Sequence, residues 1–195
     1  MGNILDYRTI TFFDVETTHL DPERGEIIQI AIVSEDRSGK LTEWSTKIKP
    51  RLESGTYHKR ALEINGYNDA EWKDAPSFED VADTIVDKLR WGPLVAHNAA
   101  FDIAFVESCL ERYTRWVKGG RTDINENIFR LGYPVIDTVA LSWMMLPTDR
   151  QNLNTLREHL NITTEGAHEA VKDVYDCRKV FWHCASGAID FLSNG

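Results

Sequence analysis

Apolar and polar positions alternate, imperfectly, through three early stretches: TITFFDVE at 9 to 16, EIIQIAIVSE at 26 to 35 and TEWSTKIKP at 42 to 50. Strand residues project to opposite faces in turn, so a period near two with β-branched and aromatic side chains predicts three consecutive strands. The turn-forming stretches DPERG and DRSGK separate them. The period then lengthens. In SFEDVADTIVDKLR, 77 to 90, Phe78, Val81, Ala82, Ile85, Val86 and Leu89 recur every three or four residues, which predicts an amphipathic helix. Ser77 and Asp80 supply a capping-box-like start behind Pro76. PLVAHN, 93 to 98, predicts a short strand, and AFDIAFVESCLERY, 100 to 113, a helix with Ile103, Val106 and Leu110 on one face. PVIDTVALSWMML predicts a strand-to-helix transition near Asp137. NLNTLREHL (152 to 160) and HEAVKDVYDCRKVFWHCAS (168 to 186) predict two further helices. Strands first and β-α units afterwards predict a mixed α/β sheet flanked by helices.

The 195 residues carry no internal repeat and no Pro/Gly/Ser-rich linker, so one domain over 1–195 is expected, with its core at about 8–186. Cys109, Cys177 and Cys184 lack C-x-x-C spacing and predict buried thiols in a reducing compartment. The run IIQIAIV falls far short of the ~20 apolar residues that cross a bilayer, so no membrane helix is expected. The N-terminus has no signal pattern, and MGNILD places Asp6 where a myristoylation signal needs Ser or Thr; a cytoplasmic location is expected. The net charge of −9 speaks against a protein that coats nucleic acid through basicity. It speaks less against a nuclease, because bound divalent cations reverse the local field. The six tryptophans, Trp72, Trp91, Trp143 and Trp182 among them, are expected in the core and in packing.

Isolated carboxylates fall where strands end and turns begin, the places where such sheets carry chemistry. Asp14 and Glu16, two apart on a strand, point to one side, and like charges held together raise one another's pKa unless a cation neutralises them. An Asp14 that caps the next turn and a solvated Glu16 would account better for that pair alone. Asp102 sits in the first turn of a helix, where the macrodipole alone favours an acid. His168 and Asp173 lie five apart near a helix start, offset by about one and a half turns.

The order of these elements resembles the DEDDh exonucleases of the DnaQ-like superfamily, whose fold is ribonuclease H-like: a strand-end D-x-E in FFDVETTHL, then HNAAFD, then AHEAVKD. The resemblance runs from Phe12 to about Cys184. It implies a 3′-to-5′ exonuclease on DNA or RNA that releases nucleoside 5′-monophosphates from single-stranded 3′ ends. It implies Asp14, Glu16, Asp102 and Asp173 as ligands of two divalent cations, with Asp14 shared, Glu16 and Asp173 completing one site and Asp102 serving the other. His168 is implied as the general base. Thr17, Thr18, Leu20, Asn98 and Phe101 are implied to lie along the terminal nucleotide. Hard oxygen ligands suit Mg²⁺ or Mn²⁺, in a two-metal phosphodiester hydrolysis.

Asp137 is expected as an N-cap or a residue behind the ligands, outside the metal set. His19 stands where the family usually has glycine, either as a nucleic-acid contact or as a solvent-facing turn residue. Arg112, Arg115, Lys118 and Arg121, around Tyr113 and Trp116, fit either phosphate contact or a solvated helix end. Two other functions compete with a free-standing trimming enzyme. One is a proofreading subunit held by a polymerase or repair partner, for which the sequence shows no long C-terminal tether; the other is a non-catalytic nucleic-acid-binding scaffold, disfavoured because all five expected active-site residues are present.

Overall fold

The computed structural model describes residues 9–90, 92–114, 117–118, 128–129, 131 and 134–194. The three alternating stretches form β1 (Thr9–Thr17), β2 (Ile27–Asp36) and β3 (Leu41–Lys47), an antiparallel meander. There follow α1 (Lys59–Ile64), α2 (Asp69–Trp72), α3 (Phe78–Leu89), β4 (Leu94–Ala96) and α4 (Ala99–Tyr113). The chain continues through β5 (Val117–Lys118), β6 (Ile128–Phe129), β7 (Val135–Asp137), α5 (Thr138–Met145), α6 (Leu153–His159) and α7 (Ala170–Asn194). β4 joins β1 in parallel and β7 joins β4 in parallel, giving the order β3-β2-β1-β4-β7, while β5 and β6 pair separately. The expected mixed sheet with flanking helices is therefore present.

Each face of this sheet has its own core. Phe13 and Val15 of β1 pack with Phe78, Ile85 and Val86 of α3 and with Phe105 and Val106 of α4. Ile10 and Phe12 turn the other way, against Ala170, Val174, Cys177 and Phe181 of α7. Burying one such side chain contributes about 1.5–3 kcal/mol. Strand alternation puts Asp14 and Glu16 in step with Phe12, on the side of α7.

The capping box at the start of α3 forms as expected, with Ser77 and Asp80 each accepting from the other's backbone. All three cysteines are free and buried. Among the described residues no helix is long and apolar enough to cross a membrane.

Several expectations need correction. β3 ends at Lys47 and not at 50, and α7 begins at Ala170 and not at 168. α1 and α2 were not expected from the apolar pattern: α1 buries no side chain, and α2 buries only Trp72, whose indole Nε1 donates to the Ile28 carbonyl at 2.8 Å. Trp72 and Trp182 do pack, but Trp143 is 75% exposed on α5 and has no place in the core. Asp6, Trp91, Arg115, Trp116 and Arg121 lie outside the described residues.

Candidate active site

β1, β4 and β7 run parallel and end at one edge of the sheet. The β1–β4 ladder stops at Phe12 opposite Val95, so beyond that point the two chains separate and leave an opening. β1 directs Asp14 and Glu16 into it, the turn after β4 brings His97 and Asn98, α4 adds Phe101 and Asp102, and His168 and Asp173 come from the start of α7 and the loop before it. All eight line one cavity of about 510 Å³.

Asp14, Glu16 and Asp173 each place a carboxylate oxygen within 4.8 Å of the other two. Glu16 is 8% exposed, which rules out the solvated alternative for it. Asp102 is buried, and its Oδ1 accepts the Val15 amide proton at 3.0 Å, fastening the first turn of α4 to β1. His168 stands two residues before α7, exposed at the rim, with a positive φ of 68° that is uncommon for a residue with a side chain. The donors that converge here are hard oxygens from three strand and helix elements, a set that fits Mg²⁺ or Mn²⁺ and not a thiol-seeking ion.

Without a cation the acids oppose one another. Burial, then the charges of Asp173 and Asp102, push the Glu16 carboxyl up to about 8. Burial likewise pushes Asp102 up to about 8. Asp14 is raised well above the ordinary carboxylate range by burial and by Asp102, Glu16 and Asp173, and Asp173 is raised by burial against the opposing pull of Arg157. A carboxyl with a raised folded-state pKa holds its proton in the folded chain after the unfolded chain has released it. Metal-free stability therefore falls as pH rises from about 4, the unfolded carboxylate value, through about 8. Thermal melts in chelator should show a lower Tm at pH 8 than at pH 5.5. Saturating Mg²⁺ should raise Tm by roughly 5–10 °C at pH 8 and by less at pH 5.5.

Three further residues complete the site, of which His97 and Arg157 were not expected there. Asp137 is the N-cap of α5, where its Oδ1 accepts from Val139 N at 2.9 Å, and it also accepts from Asn98 N at 2.9 Å and Ala99 N at 3.1 Å. The expected capping role is present and extends to a second helix, since these contacts hold the start of α4 that carries Asp102. Asn98 takes a left-handed conformation (φ 67°), makes no capping bond with its side chain and lines the cavity. Asp137→Ala should cost about 0.5–2 kcal/mol of stability from the lost cap. Displacing the first turn of α4 should lower kcat by roughly a hundredfold; an unchanged kcat in a folded variant would show that the double cap does not place Asp102.

His97 is half-buried and its Nδ1 lies 2.9 Å from Thr138 Oγ1, a tie between the β4 turn and α5. Burial holds its imidazole below the ordinary range. Arg157, the third, is buried behind Asp173. A spacing argument could not find Arg157, because one arginine in a short amphipathic helix reads as a surface residue.

Thr17, Thr18 and Leu20 do not line the cavity. Both threonine hydroxyls are engaged internally: Thr17 Oγ1 donates to His19 O at 2.8 Å, and Thr18 Oγ1 donates to Thr56 O at 2.7 Å while accepting from Glu26 N at 2.9 Å. The turn they build leaves Leu20 77% exposed. His19 is buried, stacked on His58 with ring centroids 4.1 Å apart, and its Nδ1 accepts the Asp21 amide proton at 2.8 Å. The solvent-facing alternative for His19 is thus wrong. Gly25 makes room for it, since a Cβ there would lie 2.6 Å from His19 Cβ. Arg112 is likewise no solvated helix end: its guanidinium is half-buried, donates to the Gly25 and Glu23 carbonyls and lies over Tyr113.

Comparisons with known proteins agree with this geometry. The family model RNase_T, described as Exonuclease, matches residues 11–181. A DNA polymerase III PolC-type protein of Thermotoga petrophila is 30% identical over 175 residues, covering 89% of this chain but 12% of that protein. The DNA polymerase III subunit epsilon of Treponema pallidum is 27% identical over 179 residues, covering 90% of this chain and 76% of the relative. The chain thus spans about one eighth of the length of the PolC-type protein. Among solved structures, E. coli exonuclease I in complex with a dT13 oligonucleotide shares the fold with a TM-score of 0.72 at 17% identity, over 94% of this chain and 43% of that one. Exonuclease X in complex with 5′ overhanging duplex DNA gives a TM-score of 0.61 at 21% identity, over 91% of each. These likenesses show the ribonuclease H-like fold. With the match spanning both strand-end acids and the last of the cluster, the chain belongs to the RNase_T family of exonucleases.

Proposed function

We propose that this chain trims single-stranded DNA or RNA from the 3′ end with the help of two divalent cations, Mg²⁺ or Mn²⁺. The observation that carries the reading is the convergence of Asp14, Glu16 and Asp173 in one cavity with Asp102 and His168. Asp14, Glu16 and Asp173 would hold one cation, and Asp102 with Asp14 the other. When bound, the cations supply Lewis-acid stabilisation of the charge that builds on the scissile phosphate and a more acidic water.

The chain's own residues supply the rest. His168 reaches the cavity from an exposed rim and accepts the proton of the attacking water. Asp137 and the Val15 amide hold Asp102 in place. Asn98 lines the cavity with a side chain not used in the helix cap, and would donate to sugar or phosphate, while Phe101 would lie against the terminal base. Leu20 projects from a turn that Thr17 and Thr18 fix, exposed to a nucleotide that extends beyond the cavity. Water attack at phosphorus breaks the bond to the 3′ oxygen of the penultimate residue. The products are a nucleoside 5′-monophosphate and a strand one residue shorter with a new 3′ hydroxyl.

A 5′-labelled single strand should shorten one residue at a time in Mg²⁺ and stay intact in chelator. Internal cuts as first products, or loss of the 5′ label as a mononucleotide, would refute the direction. A second reading, proofreading beside a polymerase, is favoured by the likeness to DNA polymerase III subunits. It predicts faster trimming of a mismatched than of a paired primer end when polymerase is present. A cytoplasmic location fits the three free, buried thiols.

A further inference from the structure

A guanidinium lies directly behind the acidic cluster. Arg157 of α6 is 1% exposed, and all three of its nitrogens are engaged. Nη2 donates to Asp173 Oδ1 at 2.5 Å, Nε to Asp176 Oδ2 at 2.8 Å, and Nη1 to Asn154 Oδ1 at 2.7 Å. A buried ion pair is a poor source of stability compared with an apolar side chain of similar volume, so packing alone gives no reason for an arginine here.

The charges around the fork are unequal. Asp173 and Asp176 are three apart on α7 and share a face. Asp176 already pairs with Lys172 and with Lys179, one turn away on either side. Among the described residues, the ion pair that Asp173 makes is with Arg157. That same carboxylate offers an oxygen within 4.8 Å of oxygens of Asp14 and Glu16. It therefore stands between a fixed cation and the place where a divalent one would sit.

We propose that Arg157 is a resident counter-cation of the site: a positioning residue that aims Asp173 at Asp14 and Glu16 and weakens divalent-cation binding by competing for that carboxylate. The inference rests on the cation site of the preceding section. Its sign is unusual, since a residue that merely supported the ligands would strengthen binding. Repulsion between the guanidinium and a divalent cation a few ångströms away, screened by the carboxylates between them, is enough to shift cation affinity by at least about tenfold.

Calorimetric titration of the full chain with Mn²⁺ tests this. Arg157→Met should bind Mn²⁺ at least about tenfold more tightly than the unaltered chain. Arg157→Lys, which keeps the charge, should stay within about threefold. Lys179→Met removes a cation that touches Asp176 and not Asp173, and should move affinity less than about twofold. Unchanged or weaker binding in a folded Arg157→Met overturns the proposal, because lost packing would act in that direction. If Arg157→Met is unfolded in chelator, recovery of its circular dichroism in Mn²⁺ supports the proposal, and persistent unfolding in saturating Mn²⁺ overturns it. An unaltered chain that binds no Mn²⁺ removes the cation site itself and this inference with it, whereas binding that is present but insensitive to Arg157 removes the inference alone.

Discussion

Asp14→Asn lowers turnover by about 10³–10⁴-fold and leaves the chain folded. Loss of a shared ligand removes several kcal/mol of charge stabilisation, at tenfold in rate per about 1.36 kcal/mol. Asn is isosteric, so the contacts of β1 survive, and the effect on stability has the opposite sign to that on catalysis. Asp14 is held well above its ordinary range by burial and by three neighbouring acids. Replacing it with a neutral amide relieves repulsion in the metal-free chain. At pH 8 in chelator the variant should melt at or above the unaltered protein, and it should lose most of the Tm gain from Mg²⁺. Activity loss with a lowered metal-free Tm would point to damaged packing instead of a lost ligand.

His168→Ala should lower turnover by about 10²–10⁴-fold while keeping most of the affinity for a single-stranded oligonucleotide. The side chain is exposed at the cavity rim, so little packing is lost. His168→Gly is the informative companion. At φ 68° glycine is the less strained residue, so this variant keeps or improves the loop and still lacks the imidazole. If the histidine serves as the base, both variants lose the same turnover. If it matters only for the backbone, His168→Gly stays active, and the proton acceptor must be sought elsewhere. His97 is a poor substitute, being tied to Thr138 and kept below its ordinary range by burial.

The sequence made the core legible because its signals are periodic. Alternation in β1 and β2 and the three-to-four spacing in α3 report burial directly, and Phe12, Ile30, Ile85 and Leu89 are all inside. α1 and α2 escaped because they bury almost nothing, leaving no period to detect. Trp143 was misplaced for the converse reason: residue type alone says nothing of which side of a short helix faces the sheet. At the site, the five residues proposed for the chemistry follow from their order along the chain, and they line one cavity. What holds them there was not legible. The bond from Val15 N to Asp102 joins residues 87 apart, and the double cap of Asp137 reaches 39 residues back to Asn98. His19 turned inward because Gly25, six residues on, leaves space for it. Such contacts depend on how elements pack, and a single sequence does not display that.

The most direct measurement follows the oxygen. Single-stranded DNA is incubated with the purified chain in H₂¹⁸O, with Mg²⁺ or with chelator, and the released product is weighed by mass spectrometry. Metal-dependent hydrolysis from the 3′ end predicts Mg²⁺-dependent release of nucleoside 5′-monophosphate carrying one ¹⁸O on its phosphate, and no release in chelator. Nucleoside 3′-monophosphate, unlabelled 5′-monophosphate or equal release in chelator would contradict it.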